Sequence, residues 1–217
     1  MAAEIITGVA GLVLAGGGSR RFGEIDKAQA ILGDRRLIDH VVGRLAGQTD
    51  RLAVSSGERD IDLGEARAER LDDGAWPGAG PLAGVLAGLR WLRAAGGPDW
   101  LLTAPCDVPF LPLDVAATLL AARSGTRPVV ARSAHGPEWA IALWNLRHAE
   151  VVETILREGG RRSLTAALTA LEATFAPVTT APAPGEDAAD AFLNINIPED
   201  LRRAEAMLFR LAPPKSA

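Results

Sequence analysis

Hydrophobic residues recur along this chain in two alternating rhythms. Short unbroken apolar runs, of which Val9 to Leu14 (VAGLVL) is the first, give way to longer stretches where apolar residues return every three or four positions. The run 9–14 reads as a buried strand. Leu37, Ile38, Val41, Val42 and Leu45 predict a helix over 36–48, and Arg51 to Ser56 predicts a second strand. Residues 65–71 are ambiguous, and a short strand delivering Asp72 and Asp73 to its end is the preferred reading. Leu82, Val85, Leu86, Leu89 and Leu92 mark another amphipathic helix starting at Pro81. Residues 99–103 form a strand, with Pro105, Cys106 and Asp107 just beyond its carboxyl end.

Strands alternating with helices of this length specify a parallel α/β sheet with right-handed crossovers. The second half is less regular, and its strands can run antiparallel. It holds a strand near 127–132, another over 138–144, and a helix with Val151, Val152, Ile155 and Leu156 on one face. Ser163 caps a further helix through Leu171. Thr179 to Asp190 (TTAPAPGEDAAD) is a low-complexity surface loop, Phe192 to Ile197 a last short strand, and Pro198 the start of a final helix. With no internal repeat and no linker, one domain over residues 1–217 is expected.

Composition narrows the functional classes. At 48% hydrophobic and 23% charged residues the chain is globular, and its net charge of −4 opposes a nucleic-acid binder, which needs a basic surface. The one cysteine, Cys106, excludes an intrachain disulfide framework and reads as a small packing residue. His40, His135 and His148 have no zinc-ligand spacing with it. No apolar run reaches the roughly 18 residues that span a bilayer, and residues 1–6 carry Glu4 without a basic leader. The expectation is a soluble cytoplasmic protein with neither nucleic acid nor membrane as partner.

The chemistry concentrates where the first strand ends. Gly16, Gly17 and Gly18 are followed by Ser19, Arg20, Arg21 and, after Gly23, by Asp26 and Lys27. Glycines let backbone N–H groups converge on phosphate oxygens while Arg and Lys supply charge, so the loop suits a nucleotide or another polyphosphate. It is not a dinucleotide fingerprint, because Arg21 stands where helix packing wants Gly or Ala and no acid closes the second strand. Nor is it a P-loop, since Glu24 and Ile25 follow Gly23, and Arg21 breaks the esterase elbow. Asp107, placed beyond a strand, can hold Mg²⁺ against phosphate oxygens, and Asp73 is a second acid at the same end of the sheet. Near the end, Asn194 and Asn196 lie two apart, so a strand would put both amides on one face as a pair of donors and acceptors. Arg161 and Arg162 in GGRRS can hold a phosphate through forked guanidinium contacts.

LAGGGSRRFGEIDK resembles the signature of nucleotidyltransferases that carry LxGGxSxRMGxDK, with Phe22 in place of Met. Together with GPLAG after Asp73, PCDVPF and FLNINIPED, it makes the chain similar to the molybdenum cofactor guanylyltransferases over nearly its whole length. The resemblance implies a three-layer, Rossmann-like nucleotidyltransferase fold, with a mainly parallel sheet and some antiparallel strands in the second half. It implies an enzyme that transfers GMP from GTP to molybdopterin, with or without molybdenum, releasing pyrophosphate and using Mg²⁺. Its partners would be other molybdenum cofactor biosynthesis proteins or the recipient molybdoenzyme. By the same resemblance the backbone of Leu14, Ala15 and Gly16 meets guanine. Gly17, Gly18 and Ser19 with Arg21 and Lys27 hold phosphates, Asp73 and Asp107 lie at the nucleotide, and Asp107 binds the metal. Lys27, Arg21 and Asp107 are the catalytic set, and Asn194 and Asn196, with Arg161 and Arg162, are candidates for the pterin edge and the acceptor phosphate.

Three departures stand out. Ser55-Ser56-Gly57 replaces the family's Ala-Asn, so backbone groups or serines must read guanine. Glu138-Trp139 replaces His-Pro, and Ile197 replaces a Thr that would cap the last helix unless Asn196 substitutes. The alternatives are a cytidylyl- or other nucleotidyltransferase of the same fold, which tends to read LAAG, and a non-catalytic nucleotide-binding regulator.

Overall fold

Six buried residues, Val9–Leu14, form strand β1 at the middle of the molecule, in a computed structural model that describes residues 8–16, 27–57, 59–64, 67–180 and 188–211. Val9 and Val13 point into one apolar cluster, while Ala10, Leu12 and Leu14 point into another. A strand covered on both faces needs apolar residues at every position, and this explains the unbroken run. β4 (Arg51–Ser55) and β6 (Trp100–Pro105) flank β1 in parallel, and β5 (Glu69–Leu71) pairs in parallel with β4. Helices α1 (Leu37–Ala46) and α3 (Val115–Ala121) cover one face. The other is covered by α2 (Pro81–Ala94), α4 (Ala149–Glu158) and α5 (Leu164–Ala170).

α2 sits unusually close to the sheet, because a Cβ at Gly84 would stand 2.4 Å from Ser55 Oγ and one at Gly88 2.7 Å from Leu12 Cδ2. Beyond β6 the direction reverses. β8 (Gly136–Asn145) pairs antiparallel with β6 and with β7 (Val129–Ser133), and β9 (Thr174–Pro177) pairs parallel with β7. The seven-stranded order β5-β4-β1-β6-β8-β7-β9 therefore contains one strand, β8, running against the rest.

Four differences from the expected elements have physical causes. Residues 192–197 are not a strand: a 3-10 turn over Ala188–Phe192 runs into an irregular segment whose backbone serves other partners. Ile195 N donates to the Asp107 carbonyl, and the N–H groups of Asn196 and Ile197 donate to the Asp200 carboxylate. The edge beside β7 is taken instead by β9, which the sequence pattern does not predict. Asp200, not Asn196, supports the start of α6 (Pro198–Leu211), because a carboxylate three residues into a helix can reach back to the preceding N–H groups. Val151, expected on the buried face of α4, is exposed, and its neighbour Val152 packs inward. Of the predicted loop over 179–190, residues 181–187 lie outside the described residues.

A third apolar cluster holds α6 in place. Met207 and Ala204 of α6 meet Leu32, from the two-stranded ribbon β2 (Ile31–Leu32) and β3 (Arg35–Arg36), together with Phe110 and Ile195. This cluster places residues 193–197 beside the carboxyl ends of β1 and β6.

Candidate active site

The parallel strands β1, β4, β5 and β6 end along one rim, where open α/β sheets bind ligands. A cavity of about 310 Å³ opens there, lined by Leu14, Ala15 and Gly16 from β1, Ser55 from β4, Asp73 after β5, and Pro105 to Asp107 from β6. Gly80 and Pro81 bring the amino end of α2 to the same cavity, which turns the positive end of a 14-residue helix towards it. Lys27, Ala28, Ala140, Leu164 and Asn196 complete the cavity's lining.

Lys27 is only 7% exposed. Its ammonium pairs with Asp107 Oδ2 and donates to Asn196 Oδ1 at 2.6 Å and Asn194 Oδ1 at 3.2 Å. A buried ammonium with three acceptors satisfies all three of its N–H bonds. Asp107 Oδ1 is different: it is buried, and among the described residues it has no hydrogen-bond partner. Such an oxygen is costly unless a ligand cation or donor meets it. No cluster of three or more acidic, histidine or cysteine side chains gathers among the described residues. One carboxylate plus phosphate oxygens and water is nonetheless an ordinary Mg²⁺ environment, so the donor set fits that ion. Asp107 lies well before α3, whose first residue is Val115, and so it is not a helix cap.

Asp73 is buried in a different setting. Ser55 Oγ donates to it at 3.4 Å, and a Cβ at Gly57 would stand 3.2 Å from its Oδ2. Gly57 has φ of 61°, so both conformation and space demand glycine. Across from it, a Cβ at Gly16 would come within 3.4 Å of the Gly57 nitrogen, so the ends of β1 and β4 touch backbone to backbone. Cys106 is buried beside Asp107, as a packing residue would be.

Ala15 N donates to Ser55 O at 2.8 Å, and its carbonyl accepts from the Arg59 guanidinium. Leu14 O accepts from Cys106 N at 3.1 Å. Backbone groups expected to meet guanine are thus partly used by the fold. Arg59 supports the end of β1 without lining the cavity, and periodicity and motif could not reveal it, because the contact spans 44 positions of the chain.

The expected residues do not all converge. Gly17, Gly18, Ser19 and Arg21 lie outside the described residues. Arg161 and Arg162 are exposed in the turn between α4 and α5 and do not line the cavity, although Leu164 just after them does. Arg162 stands over the Trp76 ring, 6.0 Å from its centroid, which joins that turn to the loop before α2. Asn194 and Asn196 do converge, on Lys27.

A mostly parallel sheet with one reversed strand, and a lysine and two aspartates at its carboxyl rim, defines a nucleotidyltransferase. The MobA-like NTP transferase domain matches residues 11–173, and the chain belongs to that family. It is 39% identical to the molybdenum cofactor guanylyltransferase of Acidiphilium cryptum, over 90% of this chain and 93% of that one. The corresponding protein of Cereibacter sphaeroides is 41% identical over 91% and 96%. Among solved structures, molybdopterin-guanine dinucleotide biosynthesis protein A from Archaeoglobus fulgidus superposes with a TM-score of 0.70 at 24% identity, covering 93% of this chain and 99% of that one. A 2-C-methyl-D-erythritol 4-phosphate cytidylyltransferase from Thermus thermophilus gives 0.65 at 19% identity, covering 91% and 97%. These two likenesses carry the fold. Among the described residues no helix is long and apolar enough to cross a membrane.

Proposed function

We propose that the protein transfers GMP from GTP to molybdopterin, forming molybdopterin guanine dinucleotide and releasing pyrophosphate. The observation that carries this reading is one cavity in which Lys27, Asp73 and Asp107 face the end of β1, in a chain of this family. The nucleoside lies against Gly16, Ser55 and Asp73, where hydrogen-bonding groups outnumber charges. The triphosphate runs towards Lys27 and Asp107, and Gly17, Gly18, Ser19 and Arg21 are the further residues assigned to its phosphates.

Transfer at the α-phosphorus to an acceptor phosphate needs little general base, since that phosphate is already anionic near neutral pH. Positioning and charge neutralisation supply the rate. Lys27 stabilises charge that grows on departing pyrophosphate. Asp107 would hold Mg²⁺ through the oxygen that is otherwise unpartnered, and the ion when bound neutralises phosphate charge. The acceptor reaches the cavity past Asn194 and Asn196, whose amide NH₂ groups can donate to a pterin edge, and Arg161 and Arg162 draw in its phosphate from the rim. Other molybdenum cofactor biosynthesis proteins or the recipient molybdoenzyme are the partners on this reading, and a cytoplasmic site of action accords with it.

Calorimetric competition between GTP, CTP and ATP, with Mg²⁺ present, tests base choice. GTP should bind at least about tenfold more tightly than CTP, a difference one lost polar contact can supply. Equal affinity for CTP would remove the guanylyl assignment.

A further inference from the structure

The Lys27 ammonium is held from three directions, and two of its three partners come from a segment more than 160 residues away in sequence. Asn196 Oδ1 lies at 2.6 Å and Asn194 Oδ1 at 3.2 Å, separations of 169 and 167 positions. The same segment is pinned to the opposite side of the site, because Ile195 N donates to the Asp107 carbonyl at 3.0 Å. Ile195 itself is fully buried in the cluster that α6 and the β2–β3 ribbon complete. The segment thus grips both members of the Lys27–Asp107 pair, one through side-chain amides and the other through its backbone.

We infer that Asn194 and Asn196 are positioning residues for Lys27, forming a clamp that fixes the ammonium at the phosphate end of the cavity before nucleotide arrives. The inference deepens the proposed reaction and rests on it. A lysine side chain has four rotatable bonds, so an unrestrained one would be ordered at the expense of binding. Amide oxygens suit the task. They hold a cation without neutralising it, whereas a second carboxylate beside Asp107 would compete with the triphosphate for the same charge. The residue types also explain the spacing, since the intervening Ile195 turns inward as the anchor while its neighbours turn to Lys27.

A clamp and a pterin contact use different atoms of the same amides: the oxygens face Lys27, and the NH₂ groups would face the acceptor. Affinity for Mg·GTP in the absence of any pterin therefore separates them. The unmodified chain, Asn196→Ala, Asn196→Asp, Lys27→Ala and the double variant Lys27→Ala/Asn196→Ala would be compared by calorimetry, with melting temperature as the control for folding. Asn196→Ala should weaken Mg·GTP about tenfold, and Asn196→Asp, which keeps an oxygen but sets a second carboxylate beside Lys27, should weaken it at least as much. In the Lys27→Ala background the Asn196→Ala change should have almost no further effect, since coupled residues show non-additive losses. Asn194→Ala offers an independent entry to the same cycle should Asn196→Ala fail to fold. Additive losses, or unchanged Mg·GTP affinity in Asn196→Ala, would overturn the clamp while leaving guanylyl transfer standing. Failure of the unmodified chain to bind Mg·GTP would overturn that reading and the clamp with it.

Discussion

Asp73, which is buried, and Asp107, which is largely so, stand at the same rim of the sheet and are nevertheless built into different environments. Asp107 faces the Lys27 ammonium with one oxygen and leaves the other without a described partner. Asp73 has a serine hydroxyl and a glycine turn as neighbours. A carboxylate beside a cation and with a spare oxygen is suited to metal and phosphate. One beside a serine hydroxyl and a glycine turn is suited to a nucleoside. The strand end places an acid, and the side chains around it determine what that acid can do.

Replacing each acid in turn sharpens the contrast. Asp107→Asn should lower turnover by about a thousandfold or more, through loss of metal and transition-state charge stabilisation. Steady-state rates across a Mg²⁺ titration would show it, and a near-normal rate with unchanged Mg²⁺ dependence would reduce Asp107 to a structural acid. Lys27→Ala comes next, with kcat falling about a hundredfold and GTP binding weakened as well, because the ammonium gains value as charge builds on pyrophosphate. An effect confined to KM would contradict this. Asp73→Asn should raise the KM for GTP about tenfold and narrow the preference over CTP, with the Mg²⁺ dependence unaltered. If it behaves like Asp107→Asn, the two acids share one role.

The surroundings of Asp73 can be disturbed without touching it. Gly84→Ala would drive a methyl group to 2.4 Å from Ser55 Oγ, against the serine that donates to Asp73. An overpacked helix–sheet contact of this kind costs about 1–3 kcal/mol, and a lower melting temperature together with a raised KM for GTP is expected.

The smallest effect concerns two histidines, His148 buried and His40 partly so, away from both acids. Burial holds the His148 imidazole below its usual range, against a hydrogen bond to the Thr126 carbonyl, and its Nδ1 accepts from Asn145 N at 3.2 Å. Burial likewise lowers His40, whose Nε2 lies 3.0 Å from Leu32 O; the nearby Arg35 and Arg44 add to the lowering. The unfolded chain therefore takes up these protons first. Stability is undiminished above about pH 6.5 and declines as pH falls towards the depressed native values. Melting temperature against pH should bend downward there, and His148→Gln should flatten the bend.

Sequence periodicity is informative wherever one element faces one core. Val9 to Leu14 and the α2 set Leu82, Val85, Leu86, Leu89 and Leu92 behave as their spacing requires, since burial on a fixed face imposes a fixed period. Asp107 is legible for a related reason: a strand of known direction carries the residues at its carboxyl end to the ligand rim. Residues 192–197 mislead because Leu193, Ile195 and Ile197 alternate as in a strand, yet Leu193 and Ile195 pack into the α6 cluster while Ile197 is exposed. β9 is only four residues long and ends in Pro177, too short for any period to register. Arg59 and the two asparagines on Lys27 depend on contacts between distant segments, and no local pattern encodes those.

Labelled turnover tests the central claim most directly. The protein, Mg²⁺ and molybdopterin would be incubated separately with GTP, CTP and ATP labelled at the α-phosphate, and both pyrophosphate and the labelled pterin product measured. The account predicts label transfer from GTP, with equimolar pyrophosphate and strict dependence on molybdopterin. Equal transfer from CTP, or GTP binding without any pyrophosphate release, would contradict it.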